Sequence, residues 1–203
     1  MSRLTTCLIS LGSNLPHEGR SNAQTVKLAL DTILSESGGT VKVSRLYRNP
    51  AYPPGSGPDF VNAAALAKTR RSPKACLRWL HGIEVSLGRE RGNGGRTGGH
   101  QRWKPRIIDL DLLDCDGQVL PDIVTWHNWS KLPLEDQMTM APDELVLPHP
   151  RITDRVFVLV PLRDVAPTWR HPVTGRSIED LLARLPGEAI EAMSVLDDEA
   201  SVR

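Results

Sequence analysis

The sequence predicts an α+β fold: a ferredoxin-like antiparallel sheet packed with helices as an α/β/α sandwich, interrupted by two loop insertions. Three observations carry this. Strand-like and helix-spaced segments follow one another in the order strand, helix, strand, strand, helix, strand, which suits helices laid on an antiparallel sheet. A proline-dense loop joins the two middle strands, so they return as neighbours. Both helical patterns stop at glycines.

The elements follow in order. TTCLISLG at 5–12 is a mostly apolar run ending in Gly-Ser-Asn, a strand entering a turn. From Glu18 to Ser37, Ala23, Val26, Leu30 and Ile33 recur at helical spacing, and Gly38-Gly39 ends the pattern. VKVSRLYRN at 41–49 reads as one strand with Val41, Val43, Arg45 and Tyr47 on one face. Pro50 to Pro58 holds four prolines and two glycines, which excludes regular structure, and DFVNAAALAKT at 59–69 is the returning strand. Ser72 then caps a helix with Pro73 in its first turn, where a missing N–H costs nothing. Cys76, Leu80, Ile83 and Leu87 form its buried stripe, and Gly88 stops it.

The glycine-rich loop at 92–101 is the first insertion, with five glycines among residues 92–99. A strand is expected at 106–114, followed by a turn at Gly117. Residues 121–144, with Trp126, His127 and Trp129, show no period and form the second, irregular insertion. Short helical patterns at 151–164 and 177–185 close what reads as a single domain over 1–203.

Composition narrows the function. An apolar content of 39%, a charged content of 24% and a net charge of +1 give no global argument for nucleic acid or an anionic membrane. Cysteines at 7, 76 and 115 lack CxxC spacing, so neither a disulfide framework nor a zinc knuckle is indicated. No run approaches the roughly 18 apolar residues of a membrane span, and the start is too short for a secretory leader. A cytoplasmic protein is expected.

The chemistry concentrates in RWKPRIIDLDLL at 102–113. In a strand, Asp109 and Asp111 share a face, roughly 7 Å apart, with Ile108, Leu110 and Leu112 opposite. Paired carboxylates repel unless cations compensate them. Mg²⁺ accepts one or two carboxylates plus substrate phosphates, so the pair suits a metal–nucleotide site. The alternative is a pair left in water or salt-bridged to Arg106. From Arg89 to Arg106 there are six Lys or Arg (89, 91, 96, 102, 104, 106) against Glu90 alone, a local charge of +5. Guanidinium forks fit phosphate oxygens, and a glycine loop between basic ends reads as a lid. It lacks the P-loop pattern. His149, between two prolines and before Arg151 and Arg155, reads either as structural or as another anion contact. Asn62 offers a donor and an acceptor on one edge, for a heterocycle or for neighbouring backbone.

Taken together, LISLGSNL at 8–15, YRNPAY, DFVNAA, GRER, RWKPRIIDLDLL and LPHPRITDRVFVLVPL resemble the 6-hydroxymethyl-7,8-dihydropterin pyrophosphokinases of folate biosynthesis, over roughly residues 5–167. The resemblance implies transfer of the terminal diphosphate of ATP to the pterin hydroxymethyl group, releasing AMP. It implies two Mg²⁺ ions bound with ATP on Asp109 and Asp111, and Arg89 and Arg106 as charge-stabilising arginines. It implies Asn49, Pro50, Tyr52, Phe60, Asn62, Trp103 and Phe157 around the pterin. It implies Glu84, Arg91, Ile107, Leu145, His149 and Arg155 around ATP, in a monomer with a dimer left open. The long glycine loop and the 121–144 insertion depart from compact members, and no fused domain is expected. Two other classes remain in view: another Mg²⁺-dependent nucleotide-using transferase, and a nucleic-acid-binding module built on residues 89–106.

Overall fold

Strand β1 (Thr5–Ser13) alternates its burial between two cores, because a strand sends successive side chains to opposite faces. Cys7, Ile9 and Leu11 face one core, and Leu8 faces the other. In the computed structural model, which describes residues 3–51, 57–89, 106–133, 136 and 140–196, β1 is flanked by β4 (Phe60–Thr69) and β5 (Asp109–Cys115). The strands β2 (Val41–Val43) and β3 (Tyr47–Asn49) both pair with the far edge of β4, and a short β6 (Ser194–Val195) adds to β3. Every described pairing is antiparallel.

Helices α1 (Asn22–Glu36) and α2 (Pro73–Ser86) cover one face of the sheet. Ser21 caps α1 in a reciprocal capping box with Gln24, which shortens the expected helix at its N-terminal end. Ser72 caps α2, with Pro73 in the first turn as expected. Past its end Gly88 takes φ +96°, and a Cβ there would also meet the His17 ring at 2.3 Å, so the stop needs glycine. On the opposite face lie the 3₁₀ turn Ile152–Asp154, α4 (Val156–Val165) and α5 (Ile178–Leu182), with α6 (Gly187–Glu191) beside α4. The expected three-layer sandwich is therefore present, with six strands among the described residues in place of four, because residues 41–49 form two strands and β6 is added. Cys7, Cys76 and Cys115 are free thiols buried in the first core.

Two expectations are corrected. Residues 41–49 are not one strand: Val41 packs on the α1/α2 side, whereas Tyr47 packs on the α4 side. The break lies at Ser44, whose hydroxyl donates to the Arg45 carbonyl and accepts from the Ala64 N–H, so the parity of the strand changes there. Tyr47 is then locked by its hydroxyl, which donates to Asp164 on α4 at 2.9 Å. The second insertion also contains a helix, α3 (Ile123–Ser130), capped by Asp122, which accepts from the N–H groups of Val124 and Thr125. Its apolar Ile123 and Val124 are exposed, so no amphipathic period marks it in the sequence.

Candidate active site

On β5, Leu110 and Leu112 sink into the α1/α2 core and Asp109 and Asp111 project from the other face, each with about 30% of its side chain exposed (28% and 31%). The sheet register sets what lies beside them. Asp109 pairs with Gly12 of β1, Gly12 pairs with Asn62 of β4, and Asn62 pairs with Tyr47 of β3. Directly opposed residues of antiparallel strands point to the same side. Asp109 and Asn62 therefore stand two strand spacings apart, roughly 10 Å, with only a glycine between them. A Cβ at Gly12 would come within 3.2 Å of Asn62 Oδ1, so the glycine keeps an open shelf between the carboxylate and the amide.

The cations converge on the carboxylates. Arg89 Nη1 donates to Asp109 Oδ1 at 2.5 Å, to the Ile108 carbonyl at 3.2 Å and to Glu84 Oε1. Arg106 Nη1 donates to the other Asp109 oxygen, so two guanidiniums share one carboxylate. Arg155 Nη1 lies 3.2 Å from Asp111 Oδ2. The alternative of an internal salt bridge to Arg106 is thus realised in this structure. Glu84 is fully buried in α2, and its Oε1 also accepts from the Leu110 N–H at 2.8 Å, so it ties α2 to β5 behind Arg89.

The chain entering β5 is held by the GSN turn. Asn14 Oδ1 accepts from the Arg106 N–H at 3.0 Å, the Asn14 N–H reaches the Arg106 carbonyl at 3.3 Å, and Ser13 Oγ donates to the Ile107 carbonyl at 2.5 Å. Ile107 is half-buried there.

Charge states follow from this packing. Burial pulls the Arg89 pKa down, but Asp109 and Glu84 more than offset it and hold the guanidinium above its ordinary value. Burial likewise pushes Asp111 up, and the charges of Arg155, Arg106 and Arg89, joined by His149 once acid protonates it, outweigh that, so its pKa falls below the usual carboxylate range. Burial and the Arg155 charge lower His149 to about 4. It is neutral near pH 7, and its Nδ1 accepts from the Arg151 N–H at 3.1 Å, which leaves the proton on Nε2 as a donor.

Beside Asp111 lies a cleft of about 370 Å³ whose charged lining is Asp111, Asp143, Glu144, Arg151 and Arg155, with the neutral imidazole of His149 among them, and whose apolar lining includes Leu77, Leu112, Trp129 and Leu145. On the far side of the shelf, Asn62 is 2% exposed, and its Nδ2 donates to Asn49 Oδ1 at 2.5 Å. Asn49 Nδ2 in turn donates to the Pro50 carbonyl at 2.9 Å, and Phe60 pairs with Asn49 across the strands. Phe157, 39% exposed, carries the Arg155 guanidinium 5.8 Å from its ring centre. Tyr52, Arg91, Trp103 and the 92–101 loop lie outside the described residues.

The donor set fits Mg²⁺. The two carboxylates offer hard oxygen ligands, and among the described residues no third His, Cys, Asp or Glu joins them in a metal-holding group. A site that takes its remaining ligands from water and phosphate has that composition, whereas zinc or calcium cages need more protein ligands.

Sequence reasoning assigned no role to Gly12 or Asn14, although a glycine inside an apolar strand run followed by Ser-Asn was a usable signal. It also left Trp126 undecided. Trp126 is 4% exposed, and its indole N–H donates to the Pro148 carbonyl at 2.8 Å, so the insertion is docked on the segment that carries His149.

Comparison with known proteins gives one family. A family model described as 7,8-dihydro-6-hydroxymethylpterin-pyrophosphokinase (HPPK) matches residues 8–167. The chain is 35% identical over 187 residues to a 2-amino-4-hydroxy-6-hydroxymethyldihydropteridine pyrophosphokinase of Pseudomonas aeruginosa, covering 91% of this chain and 94% of that one. It is 30% identical over 190 residues to the Methylorubrum extorquens protein of the same name, covering 93% and 98%. Among solved structures, a Plasmodium falciparum HPPK-DHPS triple mutant superposes with a TM-score of 0.63 at 15% identity, covering 96% of this chain and 48% of that chain. The chain spans about half of that solved protein, and the likeness concerns the fold.

Proposed function

This chain belongs to the 7,8-dihydro-6-hydroxymethylpterin-pyrophosphokinase family and is an ATP-dependent pyrophosphokinase of folate biosynthesis; we propose that it transfers the β,γ-diphosphate of ATP to the pterin hydroxymethyl group across the Gly12 shelf, releasing AMP. The observation that carries this reading is the single row Asp109, Gly12, Asn62, which sets a carboxylate–arginine cluster beside a buried amide across one glycine.

In this reading Asn62, held by Asn49, presents a fixed hydrogen-bonding edge to the pterin ring, and Phe60 and Phe157 supply aromatic faces. Pro50, Tyr52 and Trp103 are further pterin contacts in this reading. The cleft beside Asp111 takes ATP, with His149 and Arg155 on the phosphates and Leu145 nearer the nucleoside; Ile107 and Arg91 are further ATP contacts in this reading. Asp109 and Asp111 would hold the two Mg²⁺ ions bound with ATP. Bound there, the ions supply charge neutralisation and template the phosphate oxygens.

The protein side chains do the rest. When the triphosphate enters, Arg89 and Arg106 exchange their bonds to Asp109 for phosphate oxygens, which would leave the carboxylate free to hold a metal ion. Both guanidiniums are already partly buried and aimed at the carboxylate face, so little reorganisation remains as charge develops on the transferred group. Glu84 is a positioning residue in this scheme, because its buried carboxylate fixes the guanidinium of Arg89. The reaction needs in-line placement of the pterin hydroxyl and the β-phosphorus, and the shelf provides it by bringing the two sites side by side.

Residues 1–203 act as one domain in this proposal, supported by β6 pairing with β3 and by α5 packing on α4. We place the protein in the cytoplasm as a monomer; among the described residues no helix is long and apolar enough to cross a membrane. The test is to incubate the chain with ATP, Mg²⁺ and 6-hydroxymethyl-7,8-dihydropterin and to follow the nucleotide product. AMP with pterin diphosphate is expected. ADP, or no product, removes the assignment.

A further inference from the structure

We propose that the second insertion is a working part of the nucleotide site: Trp126 fastens α3 to the His149 segment, and Trp129 is the platform on which the base of ATP stacks. The inference rests on the reading of the Asp111 cleft as the ATP site.

Trp126 and Trp129 are three residues apart on α3 and so lie on one side of the helix. Trp126 is the anchor. Besides its bond to the Pro148 carbonyl, its ring meets His171 edge-on at 5.3 Å between centres. Pro148 precedes His149, whose N–H donates to the Leu113 carbonyl of β5 at 2.7 Å. A chain of two hydrogen bonds and one peptide unit therefore ties α3 to the strand that carries Asp111.

With Trp126 pinned, Trp129 comes to the wall of the cleft, together with Leu77 of α2 and Leu145. It is half-buried, unlike Trp126, and lines open space rather than core. The cleft thus combines two kinds of lining. Asp111 and Arg155 touch each other and form a polar part with Arg151, neutral His149, Asp143 and Glu144, where phosphate oxygens meet the two arginines and the carboxylates call for Mg²⁺, while Trp129, Leu77 and Leu145 form an apolar part. A nucleoside triphosphate has the same division, with a flat π-face at one end and anionic oxygens at the other. Stacking on an aromatic ring is sequence-tolerant and sizeable: removing the ring lowers affinity by roughly 10-fold or more.

The test measures binding of MgATP and of magnesium triphosphate, without pterin, to the full chain and its variants by calorimetry. Trp129→Ala is expected to weaken MgATP about 10-fold, to leave inorganic triphosphate unchanged, and to keep the thermal midpoint. Trp129→Phe restores most of the ATP affinity, and Trp129→Leu, which keeps apolar volume for folding, loses it as Ala does. Trp126→Phe retains the ring but removes the donor, and weakens MgATP severalfold. The proposal is overturned if Trp129→Ala and Trp129→Leu bind MgATP like the wild type, or if ATP and triphosphate weaken together. In either case wild-type AMP formation leaves the functional reading standing. A wild-type chain that binds neither ligand and forms no AMP overturns both.

Discussion

A single nitrogen of Arg89, Nη1, donates both to Asp109 at the half-exposed sheet face and to Glu84 in the closed interior of α2. In the proposed mechanism the interior carboxylate aims the cation, and the surface carboxylate occupies it until an anion of higher charge arrives.

Removing the aiming group separates stability from chemistry. Glu84→Ala leaves the Leu110 N–H without its acceptor and Arg89 without its buried counter-charge, and is expected to lower unfolding free energy by about 3 kcal/mol. Glu84→Gln keeps an acceptor and recovers part of that in a denaturant titration. Both variants should lower kcat more than they raise the KM for pterin, because Arg89 is misaimed while Asn62 is untouched.

Asp109→Asn and Asp111→Asn should each reduce AMP formation by at least about 10²-fold, the scale of losing one preorganised electrostatic contact. Both side chains are part-exposed, so the thermal midpoint should stay within a few degrees. A Mg²⁺ titration of either variant that reproduces the wild-type curve and rate removes the metal role from β5.

Arg106→Ala should slow transfer by roughly 10²–10³-fold at saturating substrates. Pterin affinity, measured by equilibrium binding, should be unchanged, since Arg106 faces Asp109 and not Asn62. A defect confined to pterin binding contradicts the assignment.

Gly12→Ala places a methyl 3.2 Å from Asn62 Oδ1 and fills the shelf. The expected result is a pterin KM raised about 10-fold or more, as for a lost well-placed contact of about 1.4 kcal/mol, with MgATP binding kept. Equal loss of both ligands would mean that β1 has shifted and that the shelf is not specific to the pterin.

His171 makes stability depend on pH. Its Nδ1 accepts from the Val173 and Thr174 N–H groups, and its Nε2 is buried with no hydrogen-bond partner among the described residues. Burial lowers its pKa from 6.5 to about 4. The unfolded chain therefore takes up the proton first as pH falls. The contribution is complete above pH 6.5 and is lost progressively down to about pH 4, on the order of 3 kcal/mol in all. Urea midpoints should fall through that window in the wild type. The fall should be shallower in His171→Asn, whose Oδ1 can still accept from the same backbone.

Much of this was legible beforehand because its signals are local. Ser72-Pro73, the four-three-four stripe of α2 and the glycine stops record helix ends in a few adjacent residues. The alternation of Asp109, Leu110, Asp111 and Leu112 records a strand with one wet face. Signals that depend on a partner were weaker. The parity change at Ser44 needs Ala64 across the sheet, and α3 is helical without an amphipathic period because Asp122 caps it and Trp126 docks it.

The sequence by itself determined the residue inventory of the site: two carboxylates in period two, basic residues before them, an amide in an apolar strand, and a glycine run. Those facts are set by side-chain chemistry and spacing along one chain. Only the tertiary structure decided that Gly12 stands between Asp109 and Asn62, that Glu84 lies behind Arg89, and that Trp129 faces the cleft. Each is a contact between elements far apart in sequence. Strand register and helix packing choose such contacts by burying apolar faces, and no local pattern records which residues then become neighbours.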